Sequence, residues 1–152
     1  MKATEARLLD FLKRSQQFVI PIYQRTYSWT EQQCRQLWDD IIRAGKRDDI
    51  SAHFIGSVVY IEQGLYQVSG ISPLLVIDGQ QRLTTLILFF KVLCLKAGRN
   101  GYFDHDFRFS NGDIAMQHGR NDSAAFKLVT SQNTAGEIKN TTPPSSIIAA
   151  YN

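Results

Sequence analysis

The sequence predicts an α+β domain, and three observations carry that reading. Short runs rich in β-branched and aromatic residues alternate with longer runs of helical period. A well-specified amphipathic helix begins after Thr30, where Thr30-Glu31-Gln32-Gln33 has the form of a capping box. A second helix, from Gln81 to Lys96, is apolar almost all round, the mark of a helix at the centre of a core.

Taken in order, residues 4–14 read as a short helix with Leu8, Leu9 and Leu12 on one side. Phe18-Val19-Ile20 reads as a brief strand stopped by Pro21. In the next helix Cys34, Leu37, Trp38, Ile41 and Ile42 fall at i, i+3, i+4, i+7 and i+8, with Gly45 as its expected stop. Phe54 to Ile61 reads as a strand, Gln63-Gly64 as a turn, and Leu65 to Ser69 as a continuing strand. Gly70-Ile71-Ser72-Pro73 breaks the chain, and Leu74 to Ile77 forms a short apolar strand that Asp78-Gly79 ends. Beyond Gly98 the pattern weakens, with short strand character over Tyr102 to Phe109 and a helix over Asp122 to Val129. Residues 131–146, rich in Ser, Thr, Asn and Pro, read as a loop, and Ile147 to Tyr151 resumes an apolar pattern.

A chain of 152 residues suits a single domain able to bury a core without metal or disulfide. Its net charge of +3 and pI near 8.9 permit contact with phosphate without requiring it. Cys34 and Cys94 sit apart in apolar helical patterns, as small hydrophobes in a reducing compartment rather than a bridge or a metal pair. The N-terminus is acidic in part and lacks the apolar run of a signal peptide, and Leu83 to Leu95 is too short to span a bilayer. These features predict a cytoplasmic protein with no membrane partner.

The strand–turn–helix over residues 74–96 is the first place for chemistry. Free N–H groups and the macrodipole at a helix start favour an anion. There Asp78 can hold a divalent cation, Arg82 can neutralise a phosphate, and Gln80 or Gln81 can orient water. Thr84 and Thr85, one turn in, can donate further hydrogen bonds. On composition alone a helix-capping Asp78 and an ion-paired Arg82 remain the simpler reading. The second place is Ile20 to Trp29, where Tyr23, Gln24, Arg25, Tyr27 and Trp29 crowd a loop before a capped helix. Such a loop suits stacking on bases or gripping phosphodiester, while its aromatic residues equally suit anchoring to the core. No G-x-x-x-x-G-K-[ST] and no G-x-S-x-G occurs. Asp104-His105-Asp106 reads as solvated surface more readily than as a metal set, and His53 and His118 have no sequence partner.

Read together, Ile20-Pro-Ile-Tyr-Gln-Arg-Thr-Tyr-Ser-Trp29, Phe54-Ile-Gly-Ser-Val-Val59 and Val76-Ile-Asp-Gly-Gln-Gln-Arg-Leu-Thr-Thr-Leu86 resemble the GmrSD restriction-endonuclease N-terminal domain family. Asn121-Asp122 with Ala125-Phe126, and Ser146 to Tyr151, are also similar to it. The resemblance implies a ParB/sulfiredoxin-like core, a small mixed sheet flanked by helices, leading into a helical C-terminal part. It implies binding and hydrolysis of a nucleoside triphosphate, ATP or GTP, with Mg²⁺. Under it Asp78, Gln80, Gln81 and Arg82 become catalytic, and Gly79, Thr84 and Thr85 support the nucleotide, with Asp78 on the metal. Tyr23, Gln24, Arg25 and Trp29 become contacts to nucleotide or DNA. The partners so implied are DNA, including modified DNA, and an HNH-type nuclease domain or subunit, with homo-oligomer formation left open. In that family the domain continues as helices, so the chain reads as an N-terminal fragment of a longer protein.

The leading reading is therefore an NTPase-coupled DNA sensor of a prokaryotic anti-phage restriction system. The alternative is a non-catalytic ParB-like nucleic-acid-binding module, and a third is direct DNA cleavage at Asp78, thinly supported by one carboxylate.

Overall fold

In a computed structural model the chain is described over residues 4–13, 16–49, 52–62, 72–133, 136, 138 and 145–152. The helices are α1 (Leu8–Leu12), α2 (Glu31–Lys46), α3 (Gln80–Lys96), α4 (Asn100–Phe107), α5 (Arg120–Thr130) and α6 (Ser146–Tyr151). The strands are β1 (Gln16–Val19), β2 (Val59–Glu62), β3 (Ser72–Asp78) and β4 (Met116–Gln117). They form one mixed sheet in the order β2-β3-β1-β4. β1 pairs in parallel with β3 on one side, Phe18 opposite Leu74, and with β4 on the other, Phe18 opposite Met116. β2 runs antiparallel to β3, with an irregular register between Val59 and Tyr60. The expected α+β class with a small mixed sheet is what the protein adopts.

The sheet's buried Phe18, Leu74 and Val76 meet Leu83, Ile87 and Leu88 of α3, all nearly without exposure. Burying each such side chain contributes about 1.5–3 kcal/mol, so α3 organises the domain. It packs against α4, α5 and α6, as its all-round apolar character predicts. A charged residue interrupts that character: Lys91 is 0% exposed. Its ammonium donates to Asn100 Oδ1 at 2.7 Å and lies 4.8 Å from the Phe103 ring centre. Burial pushes its pKa below the usual lysine range.

Several expectations change. The strand expected over Phe54 to Ile61 is confined to Val59–Glu62, and Gly56 ahead of it takes φ +109°, outside the extended range of a regular strand. The strand character read over Tyr102 to Phe109 is a helix, α4, as far as Phe107. Its Phe103 and Phe107 are spaced i, i+4, both buried and stacked at 5.2 Å, and Asp104 pairs with Arg108 at 2.9 Å one turn on. Gly45 does not stop α2, which runs to Lys46. The capping box at its start does form, the Thr30 N–H donating to Gln33 Oε1 at 2.9 Å. Pro73 lies inside β3 rather than ahead of it. Among the described residues β2 pairs with β3 as far as Leu74, and Pro73 lies opposite Gln17 of β1. The turn at Gln63-Gly64, the strand expected over Leu65 to Ser69 and much of the loop 131–146 lie outside the described residues.

Candidate functional site: a cleft at the start of α3

β3, an inner strand, ends at Asp78, and the chain turns there through Gly79 at φ +89°. The space is as restrictive as the angle, since a Cβ on Gly79 would lie 3.0 Å from the Ser57 carbonyl oxygen. Gly79 is itself the N-cap of α3, and no side-chain hydrogen bond caps the helix. The capping role considered for Asp78 is thus replaced by a bare glycine turn, which leaves first-turn N–H groups to other partners. A cleft of about 270 Å³ opens at this point. One wall is the run from Ile77 to Arg82, and the other is formed by Gln24, Arg25 and Trp29.

Side-chain amides hold the two walls together. Gln24 Nε2 donates to the Ile77 carbonyl at 3.1 Å, and Gln80 Nε2 to the Arg25 carbonyl at 2.9 Å. Gln81 grips the loop twice, its Oε1 accepting the Ser28 N–H at 2.8 Å and its Nε2 donating to the Thr26 carbonyl at 3.2 Å. Both glutamines are almost entirely buried. They differ in what remains, because the Gln80 Oε1 has no hydrogen-bond partner among the described residues, whereas both ends of Gln81 are engaged.

Thr84 and Thr85 are buried behind the cleft rather than lining it. Each hydroxyl donates to the carbonyl four residues back, of Gln80 and Gln81 respectively, both at 2.8 Å. Each oxygen then accepts a second bond: Thr85 from the Tyr27 hydroxyl at 2.7 Å, Thr84 from His118 Nε2 at 3.1 Å. Since the Thr84 proton is committed to its helix, His118 carries its proton on Nε2. Asp122 completes the frame, accepting the Tyr27 N–H at 2.6 Å. Burial raises the Asp122 pKa, and that hydrogen bond partly offsets the rise. Burial also raises the Tyr27 pKa. Tyr27, His118 and Asp122 were not among the expected site residues. Tyr27 sat in the aromatic loop and Asp122 in a string that resembles the family, but His118 carried no sequence signal.

Charge is left unpaired at the cleft. Among the described residues the Asp78 carboxylate and the Arg25 guanidinium have no hydrogen-bond or ion-pair partner. Arg82 has only the Ser57 carbonyl, at 3.4 Å, so the ion pair considered for it is not formed there. Tyr23 stands 72% exposed beside the cleft and does not line it. The Asp104-His105-Asp106 run lies on α4, where Asp106 takes bonds from Lys13 and His105, each at 2.9 Å. No group of three potential metal ligands occurs among the described residues.

The sequence model of the GmrSD restriction endonuclease, N-terminal domain, matches residues 8–147. The chain belongs to that family. No curated protein matches it. Membership in the GmrSD N-terminal family makes the chain a restriction-system module, for which DNA is the expected substrate or partner. No helix among the described residues is long and apolar enough to cross a membrane.

His118 gives this GmrSD-family domain a pH dependence. Burial lowers its pKa from 6.5 to about 4, so the unfolded chain binds the proton more readily than the folded one. The stability His118 contributes is complete above pH 6.5 and is lost as pH falls toward 4. Melting should drop across that window by the equivalent of about 2–3 kcal/mol. The drop should flatten in His118→Gln, which keeps a donor for Thr84 and does not titrate. An unchanged slope in the variant would place the acid sensitivity elsewhere.

Proposed function

We propose that the cleft binds the phosphates of a nucleoside triphosphate and supports its hydrolysis, and that this step serves sensing of DNA, including modified DNA, in restriction. One observation carries the reading: Arg25 and Arg82, neither paired with a carboxylate among the described residues, line one cleft with the uncapped start of α3. Two guanidinium forks and free backbone N–H groups converging there form an environment for a polyanion.

The donor set also suits Mg²⁺. That ion takes one or two carboxylates and fills its other positions with phosphate oxygens and water. Asp78 is exposed at the cleft wall and is the residue that would hold it, and the ion would draw charge from the phosphate oxygens. Arg82 and Arg25 neutralise the rest. Gln80, with its amide oxygen uncommitted, is the residue placed to orient an attacking water, whereas Gln81 is spent on holding the loop. Exposed Tyr23 and Ile22, at 72% and 77%, stand beside Arg25 as a surface for nucleic acid. An HNH-type nuclease domain or subunit would then do the cutting.

A melting series with ATP, GTP and a short DNA duplex, each with and without Mg²⁺, tests this. A triphosphate with Mg²⁺ should raise the melting temperature, with stabilisation of about 2.7 kcal/mol at a hundredfold excess over Kd. A shift with DNA and none with any triphosphate would favour the non-catalytic nucleic-acid module instead.

A further inference from the structure

Gly56 lies between α2 and β2, outside both polar motifs, yet it approaches Arg82 more closely than any side chain could. Its φ of +109° is one that L residues rarely adopt. A Cβ built there falls on the Arg82 guanidinium, against Nη1 and Cζ and 2.8 Å from Nη2, so any side chain at this position would push that flexible end aside. The next residue, Ser57, supplies the only acceptor Arg82 has among the described residues, at a long 3.4 Å. So weak a bond cannot by itself aim a four-torsion side chain. The aim comes from shape, with the guanidinium lying against a backbone that has no side chain to lift it. Gly79 makes the same stretch close from the other side, its own Cβ position 3.1 Å from the Val58 side chain.

We propose that Gly56 is a positioning residue for Arg82: the bare backbone at Gly56 seats the guanidinium so that its fork meets phosphate oxygens in the cleft. This role rests on the phosphate reading of Arg82. The conformational demand at Gly56 and its contact with Arg82 are separable, because only the contact disappears when the guanidinium is removed.

Two linked measurements test the seat. Melting is compared for the parent, Gly56→Ala, Arg82→Ala and the double variant. Gly56→Ala should lower melting more in the parent than in the Arg82→Ala background, where only the cost of the positive φ remains, and the difference should not exceed the few degrees that Arg82→Ala itself costs, because the guanidinium can swing aside. If Gly56→Ala folds in neither background, the positive φ is the cause, and Gly56→Asn, which tolerates positive φ better, takes its place in both measurements. Equal losses in both backgrounds overturn the seat. Binding of ATP and GTP with Mg²⁺ is then measured for the parent, Gly56→Ala, Arg82→Lys and Gly56→Ala/Arg82→Lys. Gly56→Ala should weaken binding about tenfold or more in the parent. In the Arg82→Lys background, where a slim ammonium clears the new methyl, it should add less than about twofold. Coupling in melting with unchanged nucleotide affinity in Gly56→Ala overturns the positioning role while leaving the contact. A parent protein that binds neither nucleotide overturns the phosphate reading, and the melting comparison still decides the contact.

Discussion

Arg82→Ala should abolish stabilisation by a triphosphate while leaving the unliganded protein's melting temperature within about 2–4 °C of the parent. The separation follows from what Arg82 touches. It has no carboxylate partner among the described residues, and its bond to Ser57 is long, so truncation strands no buried charge. A phosphate held by a guanidinium fork is another matter. Hydrogen bonds to charged groups contribute about 1.5–3 kcal/mol, which is roughly 10- to 150-fold in affinity. Position also argues for an anion, because a cation in the first turn of α3 opposes the helix dipole unless a negative charge lies nearby. Arg82→Lys should be defective as well, with affinity weakened but still measurable, since an ammonium keeps the charge but cannot replace a planar fork. Melting and nucleotide turnover measured on one Arg82→Ala preparation decide the matter. Normal turnover with a large melting loss would sink the phosphate role.

Gln81→Leu should show the opposite profile, a loss of melting temperature on the order of 10 °C before any ligand is added. The side chain is 5% exposed, and its removal strips partners from the Ser28 N–H and the Thr26 carbonyl together. Each unsatisfied backbone group costs about 1–3 kcal/mol, less where water can reach it, so the pair costs about 2–4 kcal/mol. Gln80→Leu removes one such bond, to the Arg25 carbonyl, and also an amide oxygen that has no partner among the described residues. Its melting loss should be the smaller and its loss of turnover the larger. Thermal denaturation of the two leucine variants side by side checks this. The reverse order would exchange the roles assigned to the adjacent glutamines.

What the sequence could and could not reveal follows from the range of the interactions involved. α3 was legible because apolar periodicity is a local property repeated over many residues. The start of α2 was legible because a capping box is written in four. β4 was not, because two residues carry no period. Met116–Gln117 is a strand through its pairing with β1, whose neighbouring bonds join Phe18 N–H to the Ala115 carbonyl at 2.7 Å and Ile20 N–H to the Gln117 carbonyl at 2.8 Å. α4 was misread because Tyr102 to Phe109 satisfies a period of two and a period of four at once, and only packing on α3 selects the helix. At the cleft, the polar string from Asp78 to Arg82 announced itself, and the loop carrying Gln24, Arg25 and Trp29 does face it. The division between Gln80 and Gln81 did not, since two identical amides are told apart only by the backbone each meets. Gly56 stood in a string that marked the family and gave no hint of Arg82.

The loop from Ile20 to Trp29 also sets an order of events in time. Its partners are remote in sequence: Ile77 lies 53 residues from Gln24, Thr85 58 from Tyr27, and Asp122 95 from Tyr27. A ribosome adding roughly 5–20 residues per second leaves the loop without Asp122 for about 5–20 s after Tyr27 is made. Closing such long loops carries an entropic cost before any contact repays it, which makes this a late step of folding. The bonds between the two walls span 53–55 residues and need only the start of α3, whereas the Tyr27 anchor behind them waits for α5. The walls can therefore meet before the frame that holds the loop is complete.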